Sequence, residues 1–263
     1  MDIKFDLEND GVTLVKNVWD KDQLKKVIKE YDVLDENLTN TDIPKDKPII
    51  VLWKHVIGEQ KRICTFEQFP SLWRLITNNI VPIVKKILKN KAKKLQLLET
   101  IVFNKPYQKS NTLHWHQDVA YFPLKPNNQI AVWFPLEPVD KLSGALNYAL
   151  SSHKKGIKGS TGLHDRKPFD GEDRELIPQD PSKEGHEVVC MEMNNTDILC
   201  HNGYTWHYSG PNNKPNYTRR GVSVRFLIEN AIFDPRPGQG AAFTKQIELK
   251  KGDKFEGAPF PQL

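Results

Sequence analysis

The chain has 263 residues, of which 38% are hydrophobic and 27% are charged, and its net charge is +5 at pH 7. The basic residues are scattered or fall in predicted helices, which argues against a nucleic-acid-binding face. A mildly positive protein still favours anionic small molecules. The length suits one all-β domain, and we expect a single domain over residues 1–263.

The expected location is cytoplasmic. Three cysteines, Cys64, Cys190 and Cys200, cannot all pair, which indicates a reducing compartment. The first residues contain no apolar core of a secretory signal, and no apolar run approaches the ~18 residues of a membrane span. The ending Pro261-Gln262-Leu263 is not a peroxisomal tripeptide.

The first third of the chain is predicted to form a helical buttress, mainly over residues 20–94. Asp20 is a candidate N-cap with Gln23 three residues on, and apolar residues follow at helical spacing. A second helix is predicted over residues 71–90, with a break or kink at Pro82. Short strands are predicted over residues 11–18 and 48–53, and the polar stretch 31–48 is typical of a loop or lid.

Later segments have the pattern of short strands separated by turns: 95–104, 130–136, 145–150, 188–193, 197–200 and 221–228. Helices followed by strands predict a mainly β fold with flanking helices, a double-stranded β-helix of the jelly-roll, cupin-like type. Its core is placed at about 95–230, with an irregular tail over 231–263. The long polar stretch 156–185 is interpreted as a cover over the active site.

Three residues form a candidate iron site. In an extended segment His116 and Asp118, two apart, project to the same side. His207, from a later strand, would complete the two-histidine, one-carboxylate face that leaves positions open on a non-haem Fe(II) ion. The alternative for any one histidine is a hydrogen-bonded core residue. His114, which shares the strand parity of His116, is interpreted as a residue that lies near the iron site. His201 is interpreted as a structural residue.

The order and spacing of several motifs around these ligands resembles the phytanoyl-CoA dioxygenase family, from about Gly11 to Ile228. The motifs are His116-Gln117-Asp118, Tyr121-Phe122-Pro123, Trp133, Ser143-Gly144-Ala145-Leu146, Ser152-His153-Lys154-Lys155-Gly156, His207-Tyr208-Ser209-Gly210-Pro211-Asn212 and Arg219-Arg220. The resemblance implies a jelly roll that uses Fe(II), 2-oxoglutarate as cosubstrate, and O2.

The resemblance also implies residues that bind 2-oxoglutarate. Arg219 would hold the distal carboxylate, because a guanidinium can make two parallel hydrogen bonds to it, and Arg225, of the same strand parity, is the reserve candidate. Ser209 would support the same carboxylate. Lys54 and Trp133 match a lysine and a tryptophan near the cosubstrate, although a surface lysine and a core tryptophan explain them almost as well.

The function that the resemblance implies is hydroxylation of a small-molecule C–H bond, with release of succinate and CO2. The carboxylate of Asp118 argues against a halogenase, in which a small residue leaves room for chloride. We expect a small-molecule substrate that is anionic or acyl-CoA-like. Alternatives are a catalytically silent jelly-roll binding module, a cupin-type hydrolase or isomerase, and an oxygenase that performs desaturation or cyclisation.

Overall fold

The computed structural model describes residues 2–56, 60–89, 91–92, 94–236 and 246–263. Three α-helices lie in its first part: α1 (Lys21–Asn37), α2 (Pro70–Leu75) and α3 (Val81–Leu88). Helix α1 begins as predicted, because the Asp20 carboxylate accepts hydrogen bonds from the amides of Asp22 and Gln23, while the Gln23 side chain accepts one from the Asp20 amide. It continues to Asn37, so the prediction of a loop from residue 31 was wrong over its first part.

The second predicted helix is interrupted close to Pro82. Residues Ile76–Ile80 form a π-helical segment between α2 and α3. Proline has no amide hydrogen and its ring clashes with the preceding turn, so the regular hydrogen-bond pattern cannot continue through it. The predicted helix end at Asn90 and residues 237–245 of the predicted tail lie outside the described residues.

The strands of the described chain form three sheets. They are β1 (Asp2–Lys4), β2 (Val12–Lys16), β3 (Ile49–Lys54), β4 (Gln60–Thr65), β5 (Gln96–Lys105), β6 (Leu113–His116), β7 (Leu124–Lys125), β8 (Gln129–Pro135), β9 (Leu146–Ala149), β10 (Val188–Cys190), β11 (Ile198–Asn202), β12 (His207–Ser209), β13 (Arg219–Leu227) and β14 (Ile232–Phe233).

The major sheet has the order β1-β2-β11-β8-β13-β5-β3-β4, the minor sheet has the order β10-β9-β12-β6, and β7 pairs with β14. The two larger sheets pack face to face, with Trp133 and Leu199 of the major sheet against Leu146 and Tyr148 of the minor sheet. This confirms the predicted jelly roll with flanking helices. The major sheet also takes β1 to β4, so it includes strands that precede the predicted core range of about 95–230.

Alternation along the strands separates the outer core from the interior. On β3, Ile50 and Leu52 pack with the helices, whereas Val51 and Trp53 face the space between the sheets. The same alternation turns the odd-numbered residues of β5 from Glu99 onward into that space, where the candidate site lies. No helix among the described residues is both long and apolar enough to cross a bilayer.

Candidate metal centre and cosubstrate pocket

The structure brings His116, Asp118 and His207 together. One ligand atom of each lies within 4.8 Å of the others, and all three residues are buried. His207 of β12 is paired directly with His116 of β6. Strand β6 ends at His116, and Asp118 begins a 3-10 turn over Asp118–Tyr121 rather than extending the strand. The three side chains nevertheless converge as the sequence predicts.

Hydrogen bonds set the tautomers of both histidines. Nδ1 of His116 lies 2.7 Å from the carbonyl oxygen of His114, and Nδ1 of His207 lies 3.0 Å from that of Thr205. A carbonyl only accepts, so each Nδ1 carries the hydrogen and each Nε2 keeps a lone pair for a metal. Burial lowers the pKa of His116 to about 4 and that of His207 well below its usual value, so both rings are neutral near pH 7. The donor set therefore fits an Fe(II) ion with open positions.

The carboxylate of Asp118 is held by two further side chains. Arg225 donates from Nη2 to Oδ1 over 2.8 Å, and Nε2 of His201 lies 3.2 Å from Oδ2. Burial alone would raise the pKa of Asp118, but the Arg225 guanidinium and the His201 hydrogen bond hold it well below its usual range. Because Nε2 of His201 donates, its Nδ1 accepts from the hydroxyl of Tyr148 at 3.0 Å. His201 therefore orients a metal ligand, which the sequence analysis missed.

A second buried cluster surrounds Ser209. Its Oγ accepts from Nζ of Lys105 at 2.8 Å and from Nη2 of Arg219 at 3.3 Å. Lys105 also donates to the carbonyls of Ser209 and Gly210, and Arg219 donates to that of Gly144. Burial lowers the pKa of Arg219 to about 10, and burial followed by the Arg219 charge lowers that of Lys105.

Neither Lys105 nor Arg219 has a carboxylate within ion-pair distance among the described residues, and Nε of Arg219 has no hydrogen-bond partner there. Trp133 closes one side of the cluster, with its ring centroid 4.9 Å from the Arg219 guanidinium carbon. A Cβ on Gly221 would meet the Trp133 ring at 2.4 Å, so this approach requires glycine. Two buried cations without a carboxylate partner among the described residues provide an environment suited to a bound carboxylate.

Two of the predicted residues lie elsewhere. Lys54 lines a separate cavity of about 400 Å³ with Tyr31 and Arg220, on the helix side of the major sheet. Alternation along β3 turns it away from the metal centre, so the geometry gives no support to its assignment as a cosubstrate residue. The side chain of His114 is partly exposed, and its backbone carbonyl, not its ring, contacts the metal centre through His116.

A cavity of about 510 Å³ opens onto the metal centre. Its walls come from strands, from the polar stretch after α1 and from the long stretch 156–185. The lining residues are Thr41, Ile43, Val51, Trp53, Lys61, Ile63, Glu99, Ile101, Phe103, Leu113, His116, Asp118, Tyr121, Phe122, Leu163, His164, Phe169 and Arg225. Both stretches interpreted as covers therefore contribute side chains to it.

The family model for phytanoyl-CoA dioxygenase (PhyH) matches residues 7–221 of this sequence. The chain belongs to the phytanoyl-CoA dioxygenase family. Among curated members, it is 22% identical to the peroxisomal phytanoyl-CoA dioxygenase of Bos taurus, over 86% of this chain and 68% of that protein. It is 21% identical to the Homo sapiens enzyme, over 95% of this chain and 75% of that one.

Solved structures of non-haem, 2-oxoglutarate-dependent enzymes share the fold of this phytanoyl-CoA dioxygenase family member. The carbocyclase SnoK from nogalamycin biosynthesis superposes with a TM-score of 0.72 at 17% identity, covering 98% of this chain and 93% of SnoK. The epimerase SnoN, solved with Fe3+, α-ketoglutarate and nogalamycin RO, superposes with a TM-score of 0.68 at 18% identity, covering 97% and 95%. Family membership and the His116, Asp118 and His207 cluster confirm the predicted cofactor set of Fe(II), 2-oxoglutarate and O2.

Proposed function

We propose that this member of the family hydroxylates a C–H bond of a small molecule, with conversion of 2-oxoglutarate and O2 to succinate and CO2. The observation that carries the proposal is that Nε2 of both His116 and His207 keeps a lone pair beside Asp118, next to a largely apolar cavity that His116 and Asp118 line. Bound Fe(II) would supply the O2 chemistry there, and the protein contributes ligands, position and exclusion of water.

We assign the distal carboxylate of 2-oxoglutarate to Arg219 and Ser209. Within the described ranges of the chain, Nε of Arg219 has no hydrogen-bond partner and Arg219 has no counter-ion; both support this assignment, because an incoming carboxylate would satisfy both. Lys105 contributes by fixing Ser209 through hydrogen bonds to its hydroxyl and its carbonyl. Trp133 forms the wall beside Arg219.

Hydroxylation is favoured over halogenation because Asp118 occupies the carboxylate position and is held by Arg225 and His201. Structures with this fold are described as a carbocyclase, an epimerase and a monooxygenase. Hydroxylation, cyclisation and epimerisation all include the removal of a substrate hydrogen. Which of the three products forms depends on how the cavity holds the substrate after that step.

The test is an anaerobic titration of metal-free protein with Fe(II) and then 2-oxoglutarate, monitored by the visible charge-transfer band of the chelate. We expect a band in the wild type, none in His207→Ala, and a requirement for far more 2-oxoglutarate in Arg219→Ala. Lys54→Ala is the matched control, since Lys54 lies on the other face of the sheet. Absence of a band in the folded wild type would overturn the proposal and favour the silent binding module.

A further inference from the structure

The walls of the cavity above the metal centre are mainly apolar, and many are aromatic. Trp53 and Phe103 lie on one side, with their ring centroids 5.8 Å apart. Phe122 and Tyr121 follow the ligand Asp118, and Phe169 comes from the long stretch 156–185. Aromatic side chains bind flat or cyclic apolar groups through large contact areas. A cavity of about 510 Å³ falls in the range that encloses most of a drug-sized molecule.

The charged groups of the cavity are already committed to one another. Arg225, only 7% exposed, donates from Nη1 to Glu99 at 3.1 Å and from Nη2 to Asp118 at 2.8 Å. Asp118 and Glu99 already balance the charge of Arg225, so an anionic substrate beside it would add a negative charge next to two buried carboxylates, which is unfavourable. Lys61 lines the cavity as well, but it is exposed to solvent and lies 3.9 Å above the Trp53 ring.

Two donors on residues of the cavity wall, Nε of Arg225 and Nε1 of Trp53, lack a partner among the described residues. Nε of Arg225 is buried and makes no hydrogen bond within the described part of the chain. A neutral acceptor oxygen, such as a hydroxyl or a carbonyl, can accept from it without disturbing the contacts of Nη1 and Nη2. Buried donors without an acceptor are costly, so a substrate oxygen at this position would add to both affinity and orientation.

We propose that the substrate is a neutral, apolar, ring-containing molecule with a hydroxyl or carbonyl oxygen that faces Arg225. This inference rests on the proposed function, since it names the substrate class of the same site. It replaces two expectations: an anionic substrate, drawn from the net charge of +5, and an acyl-CoA-like substrate, drawn from the family resemblance. A free amino acid would place two charges against apolar walls, which is equally unfavourable.

The test compares four probes by calorimetry against anaerobic protein loaded with Fe(II) and 2-oxoglutarate. 2-Naphthol is neutral and carries a hydroxyl, 2-naphthoate has the same rings and a negative charge, and hexanoyl-CoA and L-leucine represent the other classes. We expect 2-naphthol to bind at least about tenfold more tightly than 2-naphthoate. A tenfold difference between two dissociation constants is the same free energy as a shift of one pKa unit. Tighter binding of 2-naphthoate, hexanoyl-CoA or leucine would overturn the inference.

Two alanine variants test whether 2-naphthol binds in this cavity. Phe169→Ala removes an aromatic side chain from the cavity wall and should weaken 2-naphthol binding about fivefold or more. The Phe169 side chain is 37% exposed, so the variant should still fold. Val188→Ala changes an apolar side chain of similar exposure, 38%, outside the cavity, and should leave binding unchanged. Equal 2-naphthol affinity in wild type and Phe169→Ala would place the probe elsewhere and reject the inference.

The two proposals fail in different ways. A charge-transfer band with Fe(II) and 2-oxoglutarate, combined with preference for the anionic or amino-acid probes, would retain the oxygenase and reject the neutral substrate. Absence of the band, combined with Phe169-dependent binding of 2-naphthol to the metal-free protein, would reject the oxygenase and retain the ligand class.

Discussion

Arg225 and Asp118 form a buried ion pair in which Nη2 donates to Oδ1 over 2.8 Å, and the same Oδ1 lies 3.8 Å from Nε2 of His207. The positive charge of Arg225 therefore lies in contact with the Asp118 carboxylate that would bind Fe(II). Glu99, 3.1 Å from Nη1 of Arg225, balances that charge. Arg225, Asp118 and Glu99 together have a single net negative charge, which equals the charge of an ordinary two-histidine, one-carboxylate centre.

The charge balance predicts a double-mutant effect on metal affinity. Glu99→Gln leaves Arg225 uncompensated near the metal and should weaken Fe(II) binding by about tenfold, a loss of roughly 1.4 kcal/mol. Adding Arg225→Met to Glu99→Gln removes the excess charge and should restore much of the affinity. Anaerobic calorimetry with Fe(II) measures both. Additive losses in the double variant would show that the pair acts through packing and not through charge.

Arg225→Met alone should destabilise the fold more than the double variant does. It removes the Arg225 side of the ion pair with Glu99, and breaking a buried pair costs about 3–5 kcal/mol. Both side chains are less than a tenth exposed, so solvent cannot replace the lost partner. Urea unfolding of the single and double variants provides the measurement, and equal stability would contradict the explanation.

Tyr148 should affect the metal centre through His201 without touching the metal. Its hydroxyl donates to Nδ1 of His201, which fixes the tautomer that donates to Asp118. Tyr148→Phe keeps the ring beside His207 and should weaken Fe(II) binding by about tenfold, the lower limit for outer partners of metal ligands. Tyr217→Phe, which loses a hydroxyl bond to Pro138 away from the site, is the control. Unchanged Fe(II) affinity in Tyr148→Phe would rule out this role.

The ligands could be found from the sequence because they combine a short spacing with a recognisable order. His116 and Asp118 stand two apart, and His207 precedes the Ser209-Gly210-Pro211 turn. Glu99 and Lys105 were not found, although both are charged residues of inward parity on the buried strand β5. Strand parity shows that such residues face the interior, but it does not show which residues of other strands they will meet.

Lys54 illustrates the reverse case, a predicted site residue that the structure places away from the metal centre. It follows a run of five apolar residues, Ile49 to Trp53, in which alternation cannot tell which face lies inward. The helices decide this, because α1 covers the face of Ile50, Leu52 and Lys54, where Tyr31 lines the same cavity as Lys54. Packing between distant elements therefore overrode a plausible assignment from sequence.

The stretch 156–185 should stay ordered well below neutral pH because of Glu172. Burial alone would raise the pKa of Glu172, but hydrogen bonds from Arg174 and from Ser160 lower it to about 2. A carboxyl with a depressed folded-state pKa stabilises the fold above its unfolded pKa, about 4.3, and loses that contribution as the pH falls towards 2.

Hydrogen exchange of this stretch at pH 7 and pH 4, corrected for intrinsic rates, should show similar protection in the wild type at the two values. Glu172→Gln should lose protection near Ser160 at both. Glu175→Gln in the same stretch breaks an ion pair with Lys158 in which the Glu175 side chain is 72% exposed, and it should behave like the wild type, because pairs screened by solvent contribute little. Wild-type protection that already disappears at pH 4 would contradict the role of Glu172.

Lys105→Met should separate cosubstrate binding from metal binding. Its Nζ makes three hydrogen bonds, to Oγ and the carbonyl of Ser209 and to the carbonyl of Gly210, so its loss leaves buried acceptors unsatisfied at a cost of about 1–3 kcal/mol. With Ser209 no longer fixed, the affinity for 2-oxoglutarate should fall by about tenfold, which corresponds to 1.4 kcal/mol. Affinity for Fe(II) in the absence of 2-oxoglutarate should remain, since Lys105 contacts none of the ligands. Lys54→Met removes a lysine from the opposite face and should change neither constant. A Lys105→Met protein that is less stable but binds 2-oxoglutarate normally would limit Lys105 to a structural role.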